Sequence, residues 1–345
     1  MTGGMETKDV IVIGAGLSGL ACASALARRG RSPVIYERSR GVGGRCATRR
    51  VEGQPVDHGA AFVHGSDEGF LAVARGVARE QIVDGWPRVI EGAGTPCLPK
   101  AFTPLEQRLA YVDGVTALPK AIARGLDIRL KSRIESIVPA RGGWTVEADT
   151  GSTTFAQDVV LAVPPRTAQK LLTPLSGEGR DAEAIGALVG MIGTQACLTL
   201  LAGYPAGGAR PAWDMAYPED SVSVQAISHD SSKRVAPAFV VLVIQARPCW
   251  SLMHIEAAEE TWAGELLTET ARIAGAWAKN PAWVQAHRWR FARADGGSEL
   301  TRPVSLRVRG GGRLIITGES FAPGGGIEAS WVAGNAAAAR IVEEE

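Results

Sequence analysis

With 345 residues, 46% of them apolar and 21% charged, the chain has the make-up of a globular protein with room for two cored domains. Its 37 basic and 36 acidic residues nearly cancel, which argues against a general polyanion-binding surface and hence against a nucleic-acid partner. No apolar run reaches membrane-spanning length without a glycine break.

Five cysteines (Cys22, Cys46, Cys97, Cys197 and Cys249) are scattered and form no C-x-x-C pair, which disfavours a disulfide framework or zinc site and fits a reducing, cytoplasmic setting. His58 and His64 lie six apart with no third ligand at metal spacing, so no metal site is expected.

The first element is KDVIVIGAGLSGLACASALARRG, residues 8–30. A secretory leader shares its basic start and apolar centre, but needs no glycines at fixed intervals. Here Gly14, Gly16 and Gly19 follow four β-branched residues in G-x-G-x-x-G register. The stretch therefore reads as strand, glycine turn and helix, closed by Gly30 and followed by the strand SPVIYE. That is one βαβ unit of a parallel sheet.

Glycines at 14 and 16 permit a tight bend and close approach of a pyrophosphate. Gly19 lets the helix pack on the strand, and the helix N-terminus offers N–H groups to the anion. Glu37 ends the second strand, where a carboxylate can accept from both ribose hydroxyls and disfavours a 2′-phosphate. This reads as dinucleotide binding, with the dinucleotide left open.

Between Arg28 and Arg50 stand eight arginines and one acid, mostly a solvated face. Gly43-Gly44-Arg45 can bring a second backbone segment and a guanidinium to the same phosphates. In VDHGAAFVHG (56–65), the small residues Gly59 to Ala61 suit backbone lying flat against a ring system; His58 and His64 read more simply as structural.

Residues 111–163 read as a turn with a short helix (YVDGVTALPKAIARG), a strand (DIRLKSRIESIVPA), a hairpin (GGWTVEADTG) and a buried strand (DVVLAVPP). Residues 81–110 and 165–290 show less regular patterning and suggest a second domain. The end returns to order, with the strand RLIITG, a glycine loop and the helix IEASWVAGNAAAARIVEEE. A sheet begun by the first residues and completed by the last is expected.

The motifs GAGLSGLACASALARRG, E-x5-GGR, D-x-GA and ITGESFAPGGGIEASWVAGNAAAARI together resemble the flavin amine oxidase superfamily. Within it, YVDGVTALPKAIARGLDIRL, DSSKR (230–234), ARPCWSLMHIE (246–256) and HRWRFA (287–292) are similar to bacterial renalase-like proteins, whereas FVHG looks more like polyamine oxidases.

The resemblance implies an α/β fold: a Rossmann-like FAD-binding domain from 8–80, 111–164 and 295–345, and an α+β substrate domain from 81–110 and 165–294. It implies FAD, with Ser18 and the three glycines on the pyrophosphate and Glu37 on the adenosine ribose. Arg45, after Gly43 and Gly44, would sit by the flavin side, with Ala60 and Ala61 lining the isoalloxazine. Ile134 would meet adenine, Glu319 the ribityl chain, and the helix beginning at Gly326 and Ile327 flavin N1/O2.

The closing motif lacks the attachment cysteine of covalently flavinylated members, so FAD is expected to be noncovalent. The implied reaction takes a hydride from a C–H bond beside nitrogen, in a small amine or a dihydronicotinamide, with molecular oxygen as acceptor and hydrogen peroxide as product. A flavin sensor or partner-binding protein without turnover, and polyamine-oxidase-like chemistry, stand as alternatives. Pocket candidates are His64, His229, Gln245, His287 and Trp331; no lysine is assigned to the flavin N5 side.

Overall fold

The computed structural model describes residues 6–175, 180–307 and 312–343. Two compact units form: Met1–Gly44 with Pro119–Thr194 and Ala294–Glu345, and Arg45–Leu118 with Gln195–Arg293.

The first unit is built on a sheet whose centre is parallel. Strand Glu6–Ile13 lies between Thr153–Leu161 and Pro33–Tyr36, both parallel to it, and Asp127–Arg129 extends that edge. Strand Thr153–Leu161 serves two partners on its other edge. Its first half pairs antiparallel with Gly143–Ala148, and its last three residues pair parallel with Arg313–Ile316. The sheet is thus begun by the first residues and completed by the last.

The sequence DIRLKSRIESIVPA does not form one strand. Lys131, at a positive φ of 55°, breaks it into Asp127–Arg129 and Ile134–Ala140, which lie at opposite ends of the sheet path.

Helix Leu17–Arg28 packs between this sheet and the closing helix Gly326–Glu343; the final two glutamates lie outside the described residues. On each side of the helix the close approach is made by a glycine. A Cβ on Gly19 would stand 2.0 Å from the Gly14 carbonyl oxygen, and one on Gly334 would stand 2.2 Å from that of Ser18. The buried Asp158–Arg313 pair, bonded at 3.0 and 2.9 Å, ties two strands together, and Arg313 also donates to the Arg340 carbonyl of the closing helix.

The second unit has a six-stranded sheet in the order Trp283–Ala294, Thr194–Pro205, Phe239–Ala246, Val224–His229, Met215–Ala216, Ile90–Glu91. Helix Glu259–Ala274 covers one face, where Trp262 and Leu266 pack with Leu200, Ala202, Leu242 and Ile244. The alternate residues Leu201, Val241 and Val243 face the hairpin Thr48–Val51/Gln54–Asp57 through Val51 and Val56. With both faces buried, these strands carry no apolar–polar alternation, so a region that reads as irregular is in fact ordered sheet and helix.

The unit division differs from the one read from the sequence. Residues 45–80 and 111–118 belong to the second unit, because the hairpin buries its valines there. Residues 165–194 belong to the first, because helices Pro165–Leu172 and Arg180–Gly190 place Leu171, Leu172, Ala182 and Val189 in its core.

The glycine contact predicts that Gly334→Val will lower the free energy of unfolding by about 1–3 kcal/mol, the usual cost of forcing atoms into a close-packed site. Urea titration of the two proteins checks this; equal midpoints and slopes would contradict the tight crossing.

Candidate active site

In the first unit the nucleotide loop is held by backbone contacts. Gly14, at φ 105°, donates its N–H to the Tyr36 carbonyl at 2.8 Å and leads into the helix that starts at Leu17. The helix N-cap is Gly16, which has no side chain to satisfy the first-turn N–H groups, and a Cβ built there meets nothing within 4 Å. Gly16 also bridges Gly43, and Gly43 and Gly44 both have positive φ (112° and 56°). Two glycine segments therefore lie side by side, one of them opening a helix of which Ser18 and Gly19 form the first turn. Ser18 Oγ is 3.2 Å from Thr317 Oγ1.

Glu37 is buried and preorganised. Its Oε2 accepts from the Ala15 N–H and its Oε1 from the Ser39 N–H, each at 2.8 Å. A carboxylate has about four acceptor sites, so each oxygen keeps capacity for a further donor such as a ribose hydroxyl. The Ser132 and Lys131 N–H groups donate to the Glu37 and Ser39 carbonyls, which fixes the approach to Ile134. The Arg133 backbone is committed to Asp149 through both its N–H and C=O, and Ile134 opens the strand paired with Ala148.

Glu319 is buried, with Oε1 accepting from the Ala294 N–H at 2.8 Å. Gly324, Gly325 and Gly326 all lie at positive φ (89°, 63° and 78°), a backbone that side chains rarely adopt, and run directly into the closing helix through Ile327. Trp331 is buried on that helix.

In the second unit a short platform, residues 58–61, is gripped from one edge. Trp289 Nε1 donates to the His58 carbonyl at 3.0 Å, Gln245 Nε2 to that of Gly59 at 2.9 Å, and Lys233 Nζ to that of Ala61 at 2.5 Å. The Ala60 N–H donates to the Arg45 carbonyl at 3.0 Å, and a Cβ on Gly59 would stand 2.0 Å from the same oxygen. Ala60 and Ala61 stay half-buried.

Lys233, in the DSSKR segment, is fully buried. Its Nζ lies 2.8 Å from Asp57 Oδ2 and 3.0 Å from Asp230 Oδ1, over the Trp86 ring. Arg234 pairs with the same two carboxylates, so two cations balance two anions in the interior. Burial pushes the Asp57 carboxyl up, but Lys233 and Arg234 outweigh it and hold it at about 2.

Of the pocket candidates, His64, His229, Gln245 and His287 lie in the second unit and Trp331 in the first. Gln245 spends its amide on the platform. His229 ends a strand, buried, with its imidazole held toward the neutral form by burial. His287 stacks edge-on against His58 and Trp289, with Arg49 3.4 Å from its Nδ1.

His64 is buried, with Nδ1 2.8 Å from Glu106 Oε2 and Nε2 without a hydrogen-bond partner among the described residues. The Phe62 ring lies tilted against it, 6.1 Å between centroids, and Phe62 in turn makes edge-to-face contacts with Trp86 and Phe102, the latter continuing to Tyr217. Glu106 carried no sequence signal, being 42 residues from its partner. Lys233, Asp230 and Arg234 lie within DSSKR, a segment notable only through resemblance.

The glycine cradle, the preorganised Glu37 and the uncapped helix start fit a dinucleotide pyrophosphate and ribose, as FAD requires. Among the described residues no group of three or more His, Cys, Asp or Glu is arranged to hold a metal ion, and no helix is long and apolar enough to cross a membrane.

Comparison with known proteins agrees with this geometry. The profile described as flavin containing amine oxidoreductase matches residues 91–342, and that of an NAD(P)-binding Rossmann-like domain matches 12–75. A flavin-containing amine oxidase of Oncorhynchus mykiss is 43% identical over 71 residues, 20% of this chain and 14% of that protein. The zeta-carotene-forming phytoene desaturase of Myxococcus xanthus is 36% identical over 78 residues, 22% of this chain and 15% of its own. The chain thus matches only a small part of the length of these curated relatives. Among solved structures, putrescine oxidase bound to putrescine has a TM-score of 0.73 at 16% identity, covering 98% of this chain and 100% of that one. Cyclohexylamine oxidase from Brevibacterium oxydans has a TM-score of 0.73 at 15% identity, covering 98% and 99%. These structural likenesses speak to the fold.

Glu37→Ala should weaken FAD binding by about 1–3 kcal/mol, the loss for a buried charged hydrogen bond left unmade. Titrating apoprotein with FAD checks it, and unchanged affinity would remove Glu37 from the site.

A pH effect follows from His58. Burial, then Arg49 and His287, lower its imidazole to about 4. The unfolded chain takes up that proton near pH 6.5, before the folded one does, so stability held above that pH declines as pH falls toward 4; His287, lowered by burial and then Arg49, adds in the same direction. Urea unfolding across this window should show the decline, and His58→Phe should flatten it.

Proposed function

Because the chain belongs to the flavin containing amine oxidoreductase family, with FAD as its cofactor, we propose that it oxidises a small amine at the carbon beside nitrogen. FAD, when bound, supplies the acceptor for the departing hydride, with molecular oxygen as the final acceptor and hydrogen peroxide as product. The chain's own contribution is binding, orientation and proton handling. The nucleotide loop, Glu37 and the closing glycines would hold the cofactor.

The observation that carries the amine reading is His64 Nε2, a buried acceptor with no partner, three residues from the platform and inside an aromatic cluster. A buried polar atom left unmatched costs about 1–3 kcal/mol, so it calls for an explanation. An amine gives one. Hydride leaves carbon only when the nitrogen lone pair is free, so an ammonium must first lose a proton. His64 Nε2 takes that proton, in a buried position beside the Phe62 ring.

The test is an anaerobic screen of primary and secondary amines and dihydronicotinamides against the purified yellow protein. Bleaching by an amine, with peroxide on readmitting air, supports the proposal. Bleaching by dihydronicotinamides alone, or by nothing, overturns it. His64→Ala should slow reduction by about 10²–10⁴-fold, the usual range for a general base.

A further inference from the structure

His64 can serve as an acceptor only if its proton sits on the other nitrogen, and the structure supplies a reason for that. Glu106 directly precedes strand Gln107–Tyr111, and its side chain is fully buried. Its two oxygens address different partners: Oε2 lies 2.8 Å from His64 Nδ1, and Oε1 lies 3.0 Å from Lys100 Nζ. Lys100, on the short turn Pro99–Phe102, is half exposed, so it links a carboxylate that water does not reach to the surface.

We propose that Glu106 is a positioning residue that fixes His64 as its Nδ1–H tautomer, leaving the Nε2 lone pair for a substrate N–H, with Lys100 as the partner of its other oxygen. This rests on the reading that His64 meets an amine.

The argument is electrostatic. A carboxylate only accepts, so at 2.8 Å the facing imidazole nitrogen must carry hydrogen. The opposite tautomer would set two lone pairs against each other in a buried site, where such a clash is poorly screened. Lys100 Nζ, 3.0 Å from Oε1, occupies the carboxylate's other oxygen, so Oε2 is the one left to face the ring. The other charged group opposite His64 is Arg108, its register partner on the neighbouring strand. Arg108 is turned to the Phe102 ring and the Ala101 carbonyl, leaving Glu106 as the group that holds Nδ1.

The tautomer can be read without substrate. In FAD-loaded protein labelled with ¹⁵N-histidine, the His64 signals are assigned by their loss in His64→Gln; with five histidines the spectrum is sparse. Wild type should show a protonated Nδ1 and an unprotonated Nε2 at the pH where the ring is neutral. Glu106→Gln keeps a carbonyl acceptor and should retain that pattern. Glu106→Leu removes the acceptor and should shift the tautomer ratio toward Nε2–H by about tenfold or more, as expected for losing a charged hydrogen bond. An Nε2–H ring in wild type, or an unchanged ratio in Glu106→Leu, would overturn the proposal. If Glu106→Leu does not fold, the wild-type spectrum still decides. Failure of the amine screen with the Nδ1–H pattern intact would sink the substrate reading and leave the positioning role standing.

Discussion

The first unit depends on one steric constraint: helix Leu17–Arg28 is squeezed between a strand turn and another helix at points where neither contact leaves room for a methyl group. On one side Gly19 abuts the Gly14 carbonyl, and on the other Gly334 abuts that of Ser18. Helices separated by ordinary side chains pack at roughly 8–10 Å and can slide by fractions of a turn. Contacts made by glycine against backbone fix both the distance and the register. The N-terminus of the helix, where the loop glycines meet, is thereby set by residues more than 300 positions away. The closing strand reinforces this through Arg313, which holds Asp158 on the neighbouring strand and the Arg340 carbonyl on the closing helix. Cradle and closing helix are one construction, so a fault at Gly334 is felt at the phosphate loop.

The second unit solves a different problem. Gly-Ala-Ala has no side chains with which to anchor itself, so its position must be imposed by neighbours. Trp289, Gln245 and Lys233 do this by donating to the His58, Gly59 and Ala61 carbonyls. Lys233 can be buried only because Asp57 and Asp230 neutralise it, and those carboxylates are in turn shared with Arg234. A buried pair contributes little to stability against a hydrophobic replacement, but removing one member leaves an unpaired interior charge. The quartet is therefore better understood as a geometric device. It sets where the Ala61 carbonyl lies, and the Thr48 hydroxyl and Val115 N–H hold Asp57 in turn.

The two units differ in how much of them was legible in the sequence. The βαβ start and the closing strand and helix were plain because glycine spacing and β-branched runs are local signals of backbone geometry. Thr194–Pro205 and Phe239–Ala246 were not, because burial on both faces erases the alternation by which a strand is recognised. The division between units went astray at residues 45–80 for a related reason. Val51 and Val56 look like part of the preceding fold until Leu201, Val241 and Val243 are seen to cover them. His64 was visible as a residue and Glu106 was not, since no periodicity connects positions joined only by a three-stranded sheet.

That asymmetry has a chemical origin. A pyrophosphate is bound largely by main-chain N–H groups, and placing main chain close to an anion restricts φ and excludes Cβ, which leaves glycines in a readable order. An amine is met by side chains, and any backbone that brings an imidazole, a carboxylate and a few aromatic rings together will serve. Nothing in such a set obliges its members to be near one another in the chain: Phe62, Trp86, Phe102 and Tyr217 come from four separate segments. A cofactor held by backbone is therefore written into the order of residues, while substrate preference is written into tertiary contacts. Under the proposed amine reading the unmatched nitrogen of His64 belongs to the second kind, and it becomes visible only when each buried polar atom is asked for its partner.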